Sequence, residues 1–104
     1  VQVTATLGSF ADMPRILCVE DDKVFADILC RAFQRDGFEV IQAVHGEEGL
    51  RKAAEGAPDL IVLDIGLPKK DGFEVLETLK ADPALAHIPV MMITRHYKKE
   101  DDEQ

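Results

Sequence analysis

From Arg15 onward, short apolar runs alternate with stretches whose apolar residues recur every three or four positions. That alternation is the mark of repeated βαβ units and predicts an α/β fold around a mostly parallel sheet. The first run is Ile16, Leu17, Cys18 and Val19, and it breaks into three acids, Glu20, Asp21 and Asp22. Asp22 suits the N-cap of the helix that follows. In that helix Phe25, Ile28, Leu29, Ala32 and Phe33 make one apolar stripe, and Gly37 suits its C-terminal cap. A strand over 38–43 comes next, then a weaker helix over about 47–55 with Leu50, Ala53 and Ala54 turned inward and Gly56 near its end. The run 60–63 is continuously apolar, as in a central strand covered on both faces, and it ends at Asp64. Asp71 caps a third helix with Phe73, Leu76 and Leu79 on its buried face, and Asp82, Pro83 and Pro89 frame a loop before strand 90–93. Thr94 closes that strand.

The opening differs. Val1, Val3, Ala5 and Leu7 alternate with Gln2, Thr4 and Thr6 in the period of a half-buried strand, and Gly8 and Ser9 read as a connection. Residues 1–13 are therefore expected to form an extra strand or a linker, with one domain over 14–104. If paired, the strand joins the exposed sheet edge of its own chain or of a second copy, which makes a homodimer one expectation. A length of 104 residues allows a single core. No apolar run approaches the roughly 18 residues that span a bilayer, and the first 14 residues lack the basic start and apolar stretch of a secretory signal. A cytoplasmic location with no membrane association is the expectation. Cys18 lies within an apolar run and Cys30 on the apolar side of a helix, which fits reduced, buried thiols.

Charge narrows the range of partners. Twelve Lys and Arg stand against twenty Asp and Glu, a net charge of -8 that repels a phosphate backbone and disfavours direct nucleic-acid binding. Cations and basic surfaces are the favoured company. His45 and His87 fall in predicted loops without metal-ligand spacing and read as surface residues.

The chemistry follows from where the strands end. In an open α/β sheet, ligands bind beyond the carboxyl ends of the strands, so residues ending neighbouring strands converge. Here those residues are Glu20 and Asp21 after the first strand, Asp64 after the third and Thr94 after the fourth. Crowded carboxylates repel, and a divalent cation relieves the repulsion. Oxygen ligands select a hard ion, and a few carboxylates with room left for water suit Mg2+ better than a fully caged calcium. Such an ion also neutralises charge on an incoming phosphoryl group, which lets Asp64 attack phosphorus and become an acyl phosphate. Each acid taken singly has a plainer reading: Asp22 as a helix cap, Glu20 as a solvated loop residue, Asp64 as a turn former. Their joint convergence at one rim favours the chemical reading.

The segments ILCVEDD, LIVLDIGLPKKDGFE and IPVMMIT together resemble the receiver domain of two-component response regulators, chemotaxis-Y-like, over about residues 14–94. The resemblance implies a flavodoxin-like doubly wound parallel sheet of strand order 2-1-3-4-5. It implies Asp64 as phosphoryl acceptor, with metal ligation by Asp21, Asp64, the Gly66 carbonyl and Glu20, the last directly or through water. It implies that Thr94 bonds a phosphoryl oxygen and moves on activation, and that Pro68 with Asp71 and Gly72 shapes the loop after the acceptor. Similar domains draw their phosphoryl group from a histidine kinase or histidine phosphotransfer domain.

The family pattern continues past the threonine through a helix, a fifth strand ending in lysine and a last helix, none of which this sequence shows, so the domain is expected to be C-terminally incomplete. Lys98 and Lys99 follow Thr94 too closely to supply that lysine, and Tyr97 does not occupy the place of the family's switch aromatic. Arg95 and His96 stand where small residues are usual and either restrict access to the phosphoryl site or point to solvent. Two other functions compete. A phosphohydrolase of haloacid-dehalogenase type needs a second Asp two residues after its nucleophile, and Gly66 stands there, so the chain is expected not to be an enzyme. A receiver-like interaction module that signals without phosphorylation is the alternative that the absent lysine region favours.

Overall fold

The computed structural model describes residues 13–67 and 71–93, which form four strands and three helices. In chain order they are β1 (Arg15–Val19), α1 (Lys23–Arg35), β2 (Glu39–Ala43), α2 (Gly46–Gly56), β3 (Leu60–Asp64), α3 (Gly72–Ala81) and β4 (Val90–Ile93). All pairings are parallel and the strand order is β2-β1-β3-β4, the first four positions of the expected sheet. The opening segment, Pro68 and the residues from Thr94 onward, including Arg95, His96, Tyr97, Lys98 and Lys99, lie outside the described residues.

The sheet is covered on both faces, and strand alternation divides its core in two. Leu17, Val19, Ile61 and Leu63 join Ala53, Val75, Leu79 and Ile88 on the side of α2 and α3. Ile16, Cys18 and Val62 join Phe38, Leu29 and Phe33 on the side of α1, where Phe33 and Phe38 meet edge to face with ring centroids 6.2 Å apart. Each central strand therefore buries consecutive residues, which is why β1 and β3 read as unbroken apolar runs.

The helix faces depart from expectation in detail. In α1 the residues turned inward are Ala26, Leu29, Cys30 and Phe33, whereas Ile28 and Ala32 are exposed. Ile28 lies about 150° around the helix from that face, given 3.6 residues per turn. In α3 Val75 takes the buried place expected for Phe73, which is 56% exposed, while Leu76 and Leu79 face inward as anticipated. Ala54 of α2 is likewise exposed, and the buried face there is Gly46, Gly49 and Ala53.

Ends behave mostly as their residues dictate. Gly37 takes a φ of +98° after α1, the left-handed geometry expected of it. After α2 that geometry falls on Ala57, with φ 47°, while Gly56 lies against the end of the Ile41 side chain, whose Cδ1 would stand 2.9 Å from a Cβ there. His45, expected at the surface, is half-buried and caps α2, its Nδ1 accepting from the Glu48 N–H at 3.2 Å. Cys18 and Cys30 are both buried and free, as read from the sequence.

Candidate functional site

Register brings the acids together. Val19 of β1 pairs with Leu63 of β3, so Glu20 and Asp64, each one step further, stand side by side at the carboxyl ends of the two central strands. The Glu20 N–H donates to the Ala43 carbonyl at 3.0 Å and the Ile65 N–H to the Ile93 carbonyl at 2.9 Å, which ties this rim to both outer strands. Both acids are deeply buried, Glu20 at 1% and Asp64 at 0% exposure, while Asp21 faces solvent. Carboxylate oxygens of Glu20, Asp21 and Asp64 lie within 4.8 Å of one another.

Each acid is held by the turn that follows its strand. Glu20 Oε2 accepts from the Asp22 N–H at 2.8 Å, and Asp64 Oδ1 accepts from the Gly66 N–H at 3.1 Å. Gly66 is thus held beside Asp64 through its N–H, a contact different from the carbonyl ligation expected of it. Asp22 belongs to a different task from its two neighbours: its Oδ1 caps α1 by accepting from the Phe25 N–H at 2.9 Å, and it is not among the converging carboxylates. Thr94 lies outside the described residues.

Asp71 and Gly72 set the far wall. Asp71 caps α3 through the Glu74 N–H at 3.0 Å, and the Gly72 N–H donates to the Ile65 carbonyl at 3.0 Å. The start of α3 sits so close to the end of β3 that a Cβ on Gly72 would lie 2.5 Å from the Asp64 carbonyl oxygen. The sequence signals a turn at Asp71 and Gly72 but not this contact, which depends on where α3 docks.

The donor set consists of three carboxylates, all oxygen, at the carboxyl edge of the central strands, with Asp21 open to water. That composition fits a hard divalent cation with part of its hydration shell retained, and it fits magnesium better than a thiol- or imidazole-seeking metal. Among the described residues no other group of three or more Asp, Glu, His or Cys side chains converges in this way.

Residues 16–104 match the family model described as the response regulator receiver domain. The chain is 45% identical over 82 residues to the DNA-binding dual master transcriptional regulator RpaA of Synechocystis sp., covering 79% of this chain and 34% of that protein. It therefore spans about a third of that relative's length. It is 39% identical over 93 residues to the polar-differentiation response regulator DivK of Brucella anthropi, covering 88% of this chain and 76% of that one. The crystal structure of the N-terminal domain of a response regulator receiver protein from Methanoculleus marisnigri JR1 superposes with a TM-score of 0.77 at 38% identity, covering 84% of this chain and 71% of that one. With the parallel 2-1-3-4 sheet, the buried Asp64 carboxylate and the acidic rim all in place, the chain belongs to the response regulator receiver domain family.

Proposed function

We infer that this receiver domain takes a phosphoryl group on Asp64 from the phosphohistidine of a histidine kinase or histidine phosphotransfer domain and signals through the change of state. The observation that carries this reading is the convergence of Glu20, Asp21 and Asp64 within 4.8 Å at the end of the central strands. In the transfer, the phosphorus–nitrogen bond to the donor imidazole breaks as a phosphorus–oxygen bond to the Asp64 carboxylate forms. Asp64 is oriented in advance by the Gly66 N–H on Oδ1, which lowers the cost of reaching an in-line approach. Glu20, Asp21, Asp64 and the Gly66 carbonyl are the groups that would hold magnesium. When bound, that ion supplies charge neutralisation between the attacking carboxylate and the phosphoryl oxygens. Thr94 is assigned the hydrogen bond to a phosphoryl oxygen by its resemblance to the family threonine.

This reading makes the chain a signalling module and not an enzyme with turnover, because position 66, where a phosphohydrolase carries its second Asp, is glycine. A cytoplasmic site of action goes with a kinase partner, and among the described residues no helix is long and apolar enough to cross a membrane.

Intact mass after incubation with acetyl phosphate and magnesium tests the proposal. One added phosphoryl group is expected in the wild type and none in Asp64→Asn, which is nearly isosteric but lacks the nucleophilic carboxylate. An equal increase in the variant would place the acceptor elsewhere. No increase in the wild type, with folding intact, would favour an interaction module that works without phosphorylation.

A further inference from the structure

A cavity opens at the pole of the sheet opposite the acidic rim, between the end of α2 and the loop joining α3 to β4, with a volume of about 260 Å3. Ala53, Pro58, Leu85 and Ile88 line it together with Asp59 and Asp82, so its walls are polar and apolar in similar measure. Asp59 precedes β3 and Asp64 ends it, so the cavity lies about 16 Å from the acceptor carboxylate at 3.3 Å per strand residue.

The two aspartates are half-committed. Asp59 Oδ2 accepts from the Arg15 N–H at 2.8 Å and Asp82 Oδ1 from the Ala84 N–H at 2.9 Å. Among the described residues neither makes an ion pair. Each adds a formal negative charge to the lining of a small pocket that also offers apolar surface. We propose that this cavity receives the guanidinium group of an arginine side chain presented by a partner protein.

Three features select that occupant. His87 also lines the cavity, yet Asp59, Asp82 and His87 do not converge as metal ligands, since the one such group among the described residues is Glu20, Asp21 and Asp64. A metal ion is therefore not the occupant these residues select. The volume falls below the roughly 300–1,000 Å3 of pockets that bury a small-molecule ligand, and it suits a single side chain. Guanidinium carries five N–H donors in a rigid fork that can serve two separated carboxylates, and it is hydrated weakly enough to rest on an apolar wall, where ammonium is not. Free arginine would bring its own carboxylate against two aspartates on a chain of net charge -8, which favours an arginine within a polypeptide.

The test is a titration of the isotopically labelled chain with N-acetyl-arginine amide, followed by amide NMR shifts at low salt. Saturable shifts are expected at Ala53, Ala57, Leu85 and Ile88, with no response to the uncharged isostere N-acetyl-citrulline amide. Asp59→Asn and Asp82→Asn keep the oxygen that accepts each backbone N–H, so the fold is retained, and the double variant should bind about tenfold more weakly or worse through loss of charge-assisted hydrogen bonds. Absent shifts, equal response to the citrulline compound, or unchanged affinity in the double variant would each overturn the proposal. Tighter binding of free arginine than of the blocked form would replace the protein partner with a metabolite. Phosphorylation at Asp64 is measured separately, so failure of either reading leaves the other standing.

Discussion

At the scale of single residues, Gly72 and Cys18 show what burial does to space and to chemistry. Gly72 opens α3 against the end of β3, and a methyl group there would lie 2.5 Å from the Asp64 carbonyl oxygen and 2.7 Å from Ile65 Cα. Both are backbone atoms that cannot step aside. Gly72→Ala should therefore destabilise the domain by about 2 kcal/mol despite the better helix propensity of alanine, as read from the urea midpoint at constant m-value. It should also slow the proposed phosphorylation, because relief of the clash displaces Asp64. Cys18 shows the same burial acting on a thiol. Desolvation first, then the neighbouring Cys30 and Glu20, push its pKa from 9.0 up to about 12. At pH 8 a disulfide reagent such as Ellman's should leave Cys18 unmodified in the native protein and react with it only after denaturation. The folded value exceeds the unfolded one, so the associated stability is fully present below about pH 9 and is lost as pH rises from there toward 12.

Elements are shaped chiefly at their ends. α2 ends on Ala57 in the left-handed region at φ 47°, a conformation that costs a residue with a Cβ about 1–2 kcal/mol. Ala57→Gly should raise stability by about 1 kcal/mol, a gain partly offset by the extra freedom of glycine in the unfolded chain. An unchanged or lowered urea midpoint would mean that the strain is relieved in another way. The start of α2 is held reciprocally: His45 accepts from the Glu48 N–H, and Glu48 Oε1 accepts from the Val44 N–H at 2.8 Å, an arrangement like a capping box. That second bond, followed by the Lys52 ammonium 3.1 Å away, holds the Glu48 carboxyl below its usual 4.5. A folded value below the unfolded one gives stability that is present above about pH 4.5 and lost as pH falls through the folded value. Glu48→Gln should accordingly flatten the acid limb of the stability profile below that pH while leaving its alkaline limb unchanged.

For the whole molecule, the decisive feature is that the sheet brings three carboxylates, Glu20, Asp21 and Asp64, together at one pole. Concentrating them there sets up mutual repulsion, which the proposed divalent cation, binding the folded state alone, would relieve. Magnesium at about ten times its dissociation constant should add about 1.4 kcal/mol, enough to raise the melting temperature by several degrees in a domain of this size. Asp21→Ala should abolish the increase, whereas Asp59→Asn, at the opposite pole, should retain it. Equal magnesium shifts in wild type and Asp21→Ala would remove Asp21 from the site.

The order and type of the described elements were legible because each depends on local pattern: continuous apolar runs for buried strands, three-and-four spacing for helices, Asp22 and Asp71 as caps. The acidic rim was legible for a related reason, since parallel strands of similar length align their carboxyl ends and carry Glu20 and Asp64 to the same edge. What turned on docking was not. The exposure of Ile28 and Phe73 followed from the rotation of each helix against the sheet, which one-dimensional spacing determines only to within a residue or so. Histidine is a weak signal for a helix cap, so His45 looked like a loop residue until Glu48 was seen to reciprocate. Asp59 and Asp82 stand in separate loops with no motif between them, and only the packing of α2 beside the α3–β4 loop placed both carboxylates at one cavity. Sequence pattern acts along the chain and so determined the elements and the chemistry at their ends, whereas contacts between elements depend on three-dimensional packing and were decided only by the fold.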